Sequence, residues 1–169
     1  ALAVFAWAWY RDFLGPALFD LAAPALALGY AIGRCGCQLS GDGDYGKAWD
    51  GPWAMSYPDG TVPTDETVHP TPIYETLAMG LGAWILWQLR DRFRAGVLFA
   101  IYLIYAGLER FAVEFLRRNS DVALGLTTAQ LESLGMVAIG AVWILAVRQR
   151  HGTLSAMAST KPIQPLAGS

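Results

Sequence analysis

The chain has 169 residues, of which 54% are hydrophobic and only 15% charged, with seven tryptophans and a formal net charge of −2. Soluble domains carry roughly 25% charged residues, so the composition argues against a water-soluble globule and for a polytopic membrane protein. It also offers no basic face for a nucleic acid.

The first stretch, ALAVFAWAWY from Ala1 to Tyr10, is apolar but too short to span a bilayer. It lacks an initiator methionine and a basic lead-in, so it reads as the last half of a helix in a fragment rather than as a signal peptide. A first full span is predicted over 20–38, with Pro24, Gly29, Gly33 and Gly36 along it; small residues so spaced allow close helix contact in lipid. A polar segment follows over 40–70, rich in Gly, Pro, Asp and Trp, which reads as a small irregular insert. The pair Thr71-Pro72 predicts a helix start, Thr as N-cap and Pro at N1, for a span over 72–89 closed by Arg90, Arg92 and Arg94. A third span is predicted over 95–115 and a fourth over 128–147, closed by Arg148 and Arg150. The transmembrane domain is thus 1–151, and 152–169 reads as a disordered tail. The fold class is all-α: a polytopic transmembrane helix bundle.

If the spans alternate, Arg11, Arg90, Arg92, Arg94, Arg148 and Arg150 share one side and the acidic insert lies on the other. Basic ends mark the cytoplasmic side, so the insert is predicted to be external and the C-terminus cytoplasmic. Arg117 and Arg118 break that pattern, which points to a functional reason for at least Arg117.

Within the third span, Arg110, Glu114 and Arg117 stand at i, i+4 and i+7, on one helix face. A charge at membrane depth costs at least a few kcal/mol unless protein or a wet cavity surrounds it. Two arginines on such a face suggest an anion site, and the anion available in a bilayer is a lipid phosphate. Arg34, at the external end of the first span, fits either this site or a headgroup contact. Glu75 falls near the start of its helix, where the dipole alone would favour an acid. His69 could titrate near neutrality and act as a base, or be an ordinary surface residue. Tyr102, Tyr105 and Glu109 read as helix–helix hydrogen-bonding groups. Gly41-Asp-Gly-Asp-Tyr-Gly46 lacks the spacing of a calcium loop and predicts a tight turn near a ligand. Cys35 and Cys37 have no second ligand cluster, so neither a metal nor a redox role is assigned. Arg34, Asp42, His69, Glu75, Arg110, Glu114, Arg117 and Gln130 come from four segments, yet the topology brings all of them to one leaflet.

Four motifs occur in order: Gly33-Arg-Cys-Gly36 with Gly41-Asp42, His69-Pro-x-x-x-Tyr-Glu75, Gly107-x-x-Arg110-x-x-x-Glu114-x-x-Arg117, and Gly125-Leu-Thr-x-x-Gln130. The set resembles the prolipoprotein diacylglyceryl transferase family from Gly33 to Ser133. The resemblance implies a bacterial inner-membrane enzyme of about seven helices, without a cofactor. Such enzymes move the diacylglyceryl group of phosphatidylglycerol onto the lipobox cysteine of a prolipoprotein, giving a thioether. It implies catalytic roles for Arg34, Arg110 and Glu75, and substrate contacts from Asp42, His69, Tyr74, Glu114, Arg117 and Gln130. Cys37 stands where the family has Asn, Pro72 where it has Gln, and Gly43 reads as an insertion. The family's His-Gly-Gly motif, with its proposed thiol-activating histidine, falls upstream of these residues. Two rival functions use the same charges: a non-catalytic subunit that binds or transports phospholipid, and an assembly subunit whose charges pair with a partner helix.

Overall fold

The computed structural model describes residues 2–118 and 125–156. Five helices and one small sheet follow in order: α1 (Leu2–Tyr10), α2 (Pro16–Ser40), β1 (Met55–Tyr57), β2 (Thr64–Val68), α3 (Thr71–Leu89), α4 (Val97–Glu114) and α5 (Thr128–His151). Two of them, α2 with 25 residues and α5 with 24, are long and apolar enough to cross a membrane.

The predicted spans correspond to helices, but several ends shift for local reasons. α2 starts early because Pro16 pre-sets the first turn. It stops at Gly41, whose left-handed backbone lets its N–H return to the Cys37 carbonyl. α3 corrects the expected cap: Pro70 is the N-cap, and Thr71 lies inside the helix with its hydroxyl given to the Asp44 carbonyl at 2.5 Å. Glu75 therefore sits beyond the first turn. α4 has no cap of its own; Asp20 on α2 accepts from the N–H groups of Gly96 (2.7 Å) and Phe99 (2.8 Å), placing a carboxylate at its positive end. α5 runs on to His151, with Arg148, Arg150 and His151 in a last turn whose dipole favours them.

The core is built from small residues. Ala23, Ala27 and Ala31 form one stripe of α2 and pack against Met79, Ala83, Leu86 and Leu98. The glycines of α2 do not do this, contrary to expectation: a Cβ at Gly29, Gly33 or Gly36 would meet nothing within 4 Å. Close approach is instead made between α4 and α5, where a Cβ at Gly107 would come within 2.7 Å of the Ser133 carbonyl and one at Gly140 within 2.7 Å of the Ala100 carbonyl. The outward faces are apolar, with Leu21, Leu28 and Ile32 on α2, Trp84 and Trp87 on α3, and Ile139, Val142 and Leu145 on α5 all exposed. An apolar exterior around a core of small residues inverts the pattern of a water-soluble bundle.

The insert is irregular over most of its length but carries a two-stranded sheet, so the molecule is mostly helical rather than all-α. β1 and β2 pair antiparallel, with Met55 opposite Val68 and Tyr57 opposite Thr64. Strands this short carry too few alternations to stand out in a sequence. The residues after α5 also depart from expectation as far as they are described. Leu154 and Ser155 lie against the α3–α4 connection, where Arg94 N–H donates to the Leu154 carbonyl at 2.9 Å and Ala156 N–H to the Arg92 carbonyl at 3.1 Å. The rest of the predicted tail, 157–169, and the centre of the α4–α5 loop, 119–124, lie outside the described residues. These contacts gather the start of α2, the α3–α4 connection and the end of α5 at one end of the bundle. The insert and the end of α4 meet at the other.

Candidate active site

Glu75 is the centre of the charged cluster. Its side chain is 0% exposed, and α2, α4 and the residues just past α4 each deliver a cation to it. From α2, Arg34 Nη2 reaches Glu75 Oε1 at 3.1 Å; from α4, Arg110 Nη1 donates to the same oxygen at 3.3 Å. Just past α4, Arg117 Nη1 lies 3.9 Å from Glu75 Oε2. Tyr30, one turn before Arg34, donates its hydroxyl proton to Glu75 Oε1 at 2.8 Å and accepts from Arg34 Nη2 at 3.1 Å. A carboxylate so buried is tolerable only with such compensation.

Glu114 completes the α4 stripe. It is buried, 3.5 Å from Arg110 Nη2 and 3.9 Å from Arg117 Nε. The i, i+4 spacing thus puts Arg110 and Glu114 on one face of α4, and Arg117, past the end of the helix, still reaches Glu114.

The insert closes the cluster from outside through Asp44, whose carboxylate accepts from both Arg34 and Arg117. Burial raises the Asp44 pKa, but the hydrogen bonds and charges of Arg117 and Arg34 outweigh it and hold the carboxyl below its ordinary value of 3.8. The approach needs Gly46. Its N–H donates to the His69 carbonyl at 2.8 Å, and a Cβ there would come within 2.6 Å of the Leu116 carbonyl and 2.8 Å of the His69 Cβ. Lys47 N–H bonds that same Leu116 carbonyl at 2.8 Å, tying the insert to the end of α4.

Arg34 and Arg110 also line a cavity of about 290 Å³ with Tyr30, Tyr102, Glu109 and Met136, floored by Met79 and Ala106. Arg110 is the most open of the three arginines, its side chain 26% exposed against 13% for Arg34 and 9% for Arg117. One end of the cavity is therefore cationic and the other apolar, a shape suited to an amphiphilic anion.

Other expected site residues lie elsewhere. Asp42 is exposed, and its Oδ1 accepts from the Asp44 N–H at 3.3 Å, so it shapes the turn that presents Asp44 instead of meeting the arginines itself. His69 stacks on Trp49 with ring centroids 4.3 Å apart, its Nδ1 3.3 Å from the Tyr74 hydroxyl. That hydroxyl accepts from Trp53 Nε1 at 2.8 Å, so His69 and Tyr74 belong to an aromatic group on the insert side of α3. Gln130 is buried and closes a capping box: its Oε1 accepts from the Thr127 N–H at 3.1 Å, and its N–H donates to Thr127 Oγ1 at 3.3 Å. Of the presumed interhelical groups, Tyr105 donates to the Ala78 carbonyl at 2.5 Å. Glu109 does not: its Oε1 is buried without a hydrogen-bond partner.

Cys37, Asp42 and Asp44 offer three ligand atoms within 4.8 Å of one another. Asp44 is already engaged by two guanidinium groups, whose charge opposes a cation at that point.

A family profile described as prolipoprotein diacylglyceryl transferase matches residues 1–146. The chain belongs to the prolipoprotein diacylglyceryl transferase family. It is similar to the phosphatidylglycerol–prolipoprotein diacylglyceryl transferase of Methylobacillus flagellatus, at 38% identity over 141 residues covering 79% of this chain and 52% of that protein. The enzyme of the same name in Geobacter sulfurreducens is 36% identical over 143 residues, covering 80% of this chain and 53% of that protein. That of Idiomarina loihiensis is 33% identical over 141 residues, or 79% of this chain and 51% of that protein. The chain spans about half the length of these curated relatives.

Sequence reasoning misses Asp44 and Tyr30 of this cluster, and it reads Glu109 only as a helix–helix hydrogen-bonding group. Tyr30 could have been found from its i−4 spacing to Arg34, which puts both on one face of α2. Asp44 sat beside the chosen Asp42, and no local rule chooses between two acids that alternate with glycine.

Proposed function

We propose that this chain carries the phospholipid-binding and group-transfer site of a phosphatidylglycerol–prolipoprotein diacylglyceryl transferase. Its setting is a polytopic bundle in the bacterial inner membrane, residues 1–151 forming the transmembrane domain, the 40–70 insert facing outward and the C-terminus cytoplasmic. The observation that carries this proposal is the convergence of Arg34 and Arg110 on one Glu75 oxygen at the mouth of a cavity whose far end is apolar.

In this reaction the thiol sulfur of the acceptor cysteine attacks the glycerol carbon bonded to the phosphate oxygen. The C–S bond forms as the C–O bond breaks. The electron pair of the broken bond stays on that oxygen, and glycerol phosphate leaves with a second negative charge developing on it. Arg110, the more open cation, and Arg34 supply charge-assisted hydrogen bonds where that charge grows. Glu75, Glu114 and Arg117 fix the two guanidinium groups before substrate arrives, so little reorganisation is needed. Met79, Tyr102, Ala106 and Met136 provide an apolar berth for the diacylglyceryl part.

The full-length protein that carries this chain, reconstituted with phosphatidylglycerol and a lipobox peptide, is expected to yield the thioether product by mass spectrometry. Arg34→Ala and Arg110→Ala should each lower the rate by about 10²–10³. Undiminished activity in Arg110→Ala would refute the site. Phospholipid binding without thioether in the wild type would favour the non-catalytic lipid-binding subunit instead.

A further inference from the structure

Glu109 stands outside the ion-pair lattice around Glu75. Arg34, Arg110 and Arg117 already face Asp44, Glu75 and Glu114 there. Glu109 instead lines the cavity with Arg34 and Arg110, and among the described residues no hydrogen bond reaches its buried Oε1. An enclosed polar oxygen without a donor is uncommon and costly. The atoms that enclose it belong to this chain, so a donor reaches it only from the cavity. The two oxygens of a carboxylate exchange by a half-turn of the terminal torsion, which is soft. The unmet acceptor is thus presented to whatever fills that space.

The cavity therefore makes two demands of a ligand: an anion for the guanidinium groups and a hydrogen-bond donor beside it. Successive helix residues rise by about 1.5 Å, so Glu109 stands at the level of Arg110, while Ala106 and Tyr102 lie deeper along α4. The phosphate and both acyl esters of phosphatidylglycerol only accept hydrogen bonds. Its only donors are the two hydroxyls of the headgroup glycerol. A diester whose headgroup lacks hydroxyls, such as phosphatidylpropanol, meets the arginines equally well and leaves Glu109 unmet. The carboxylate also repels the phosphate itself, so it does not serve as a further phosphate contact.

We infer that Glu109 is a specificity-determining residue, accepting a hydrogen bond from a headgroup hydroxyl of phosphatidylglycerol while Arg34 and Arg110 hold the phosphate. This rests on the transferase function proposed above. The arginines recognise any lipid phosphodiester, and Glu109 selects among diesters by the donor on the headgroup. Discrimination of this kind is strong, because the lipid without the hydroxyl leaves a buried acceptor unpaired. No bond is made or broken at Glu109.

The test uses the full-length protein that carries this chain, a lipobox peptide, and vesicles containing phosphatidylglycerol or phosphatidylpropanol, which share the reacting carbon and the charge. Thioether formation (kcat/KM) and binding of each lipid by native mass spectrometry are measured for wild type, Glu109→Leu and Glu109→Gln. Wild type should prefer phosphatidylglycerol by about 10–100-fold, the worth of one hydrogen bond to a charged acceptor. Glu109→Leu should bring the ratio to about 1–3 by slowing phosphatidylglycerol alone, and Glu109→Gln, whose amide oxygen still accepts, should keep part of the preference. The thermal melt of Glu109→Leu should match or exceed that of wild type, since the change removes an acceptor this chain leaves unpaired. A lowered melt, an unchanged ratio, or an equal loss with both lipids, as a structural role would give, overturns the assignment and leaves the transferase function intact. So does a wild type that uses phosphatidylethanolamine better than phosphatidylglycerol, because the carboxylate would then be selecting an ammonium. Absence of thioether from wild type, with the preference retained in binding, overturns the transferase function alone.

Discussion

Replacing Glu75 by Gln keeps the shape of the side chain and removes its charge, at a residue with no solvent exposure. The Tyr30 hydroxyl, 2.8 Å from Oε1, can still donate to an amide oxygen, so that bond is spared. The loss falls on the arginines: Arg34 at 3.1 Å, Arg110 at 3.3 Å and Arg117 at 3.9 Å would then share only Asp44 and Glu114. One guanidinium charge is left uncompensated below the surface, which costs about 3–5 kcal/mol. That is a large part of the roughly 5–15 kcal/mol that holds most domains folded. At about 2–4 °C per kcal/mol for a chain of this size, Glu75→Gln should lower the melting temperature by roughly 6–20 °C. Tryptophan fluorescence in micelles would follow the transition. Arg110→Gln alone should also destabilise, because it removes one of the cations on Glu75. The double variant should fall short of the sum by about 0.5–3 kcal/mol, since both changes break the same contact. A Glu75→Gln melt within about 2 °C of wild type, or strictly additive losses, would mean that the ion pairs described here do not bear on stability.

Asp44 makes a prediction in pH. Its carboxyl is depressed by Arg117 and Arg34 against the opposing effect of burial, so its stabilisation is complete above the ordinary value of 3.8 and is lost as pH falls through the lower folded value. Melting temperatures should therefore be insensitive to this group from pH 5 to 8 and fall only on the acid side. Asp44→Asn should remove its share of that acid limb. Gly46→Ala should cost about 1–3 kcal/mol, because the Leu116 carbonyl is backbone and the His69 Cβ is bonded directly to its own backbone, so neither yields easily; Gly29→Ala, with nothing within 4 Å, should be neutral or stabilising in the same thermal melt. Thr127→Ala should lose about 1 kcal/mol through the cap of α5. Gln130→Ala should do the same by chemical denaturation, with transfer activity reduced only as far as stability requires; a specific fall in activity at full stability would restore Gln130 to the substrate site.

What could be read from the chain was set by period and by cost. Apolar runs of near-spanning length located every long helix, and the rarity of charge in such runs singled out Arg110, Glu114 and Arg117 before any geometry was known. Helix spacing then sufficed to align Arg110 with Glu114, whereas Arg117, beyond the end of α4, is held by its bridge to Gly46. The failures share a different cause, since each depends on a partner distant in sequence. Thr71 looks like a cap until Asp44, 27 residues earlier, takes its hydroxyl. Asp20 looks like an ordinary polar residue at a span's edge until α4 arrives 76 residues later and places two N–H groups on it. The glycines of α2 have the spacing of a packing motif, yet the alanine stripe beside them makes the contact; both stripes satisfy the same small-residue rule, and only the position of α3 decides between them. Asp42 and Asp44 pose the same problem at the site. Two acids of equal chemistry alternate with glycine, and the choice between them is made by Gly46, which lets the insert close on Leu116 and brings the second carboxylate, not the first, onto Arg34 and Arg117. A motif can therefore name the charge that a site requires while the packing of a neighbouring glycine settles which residue provides it.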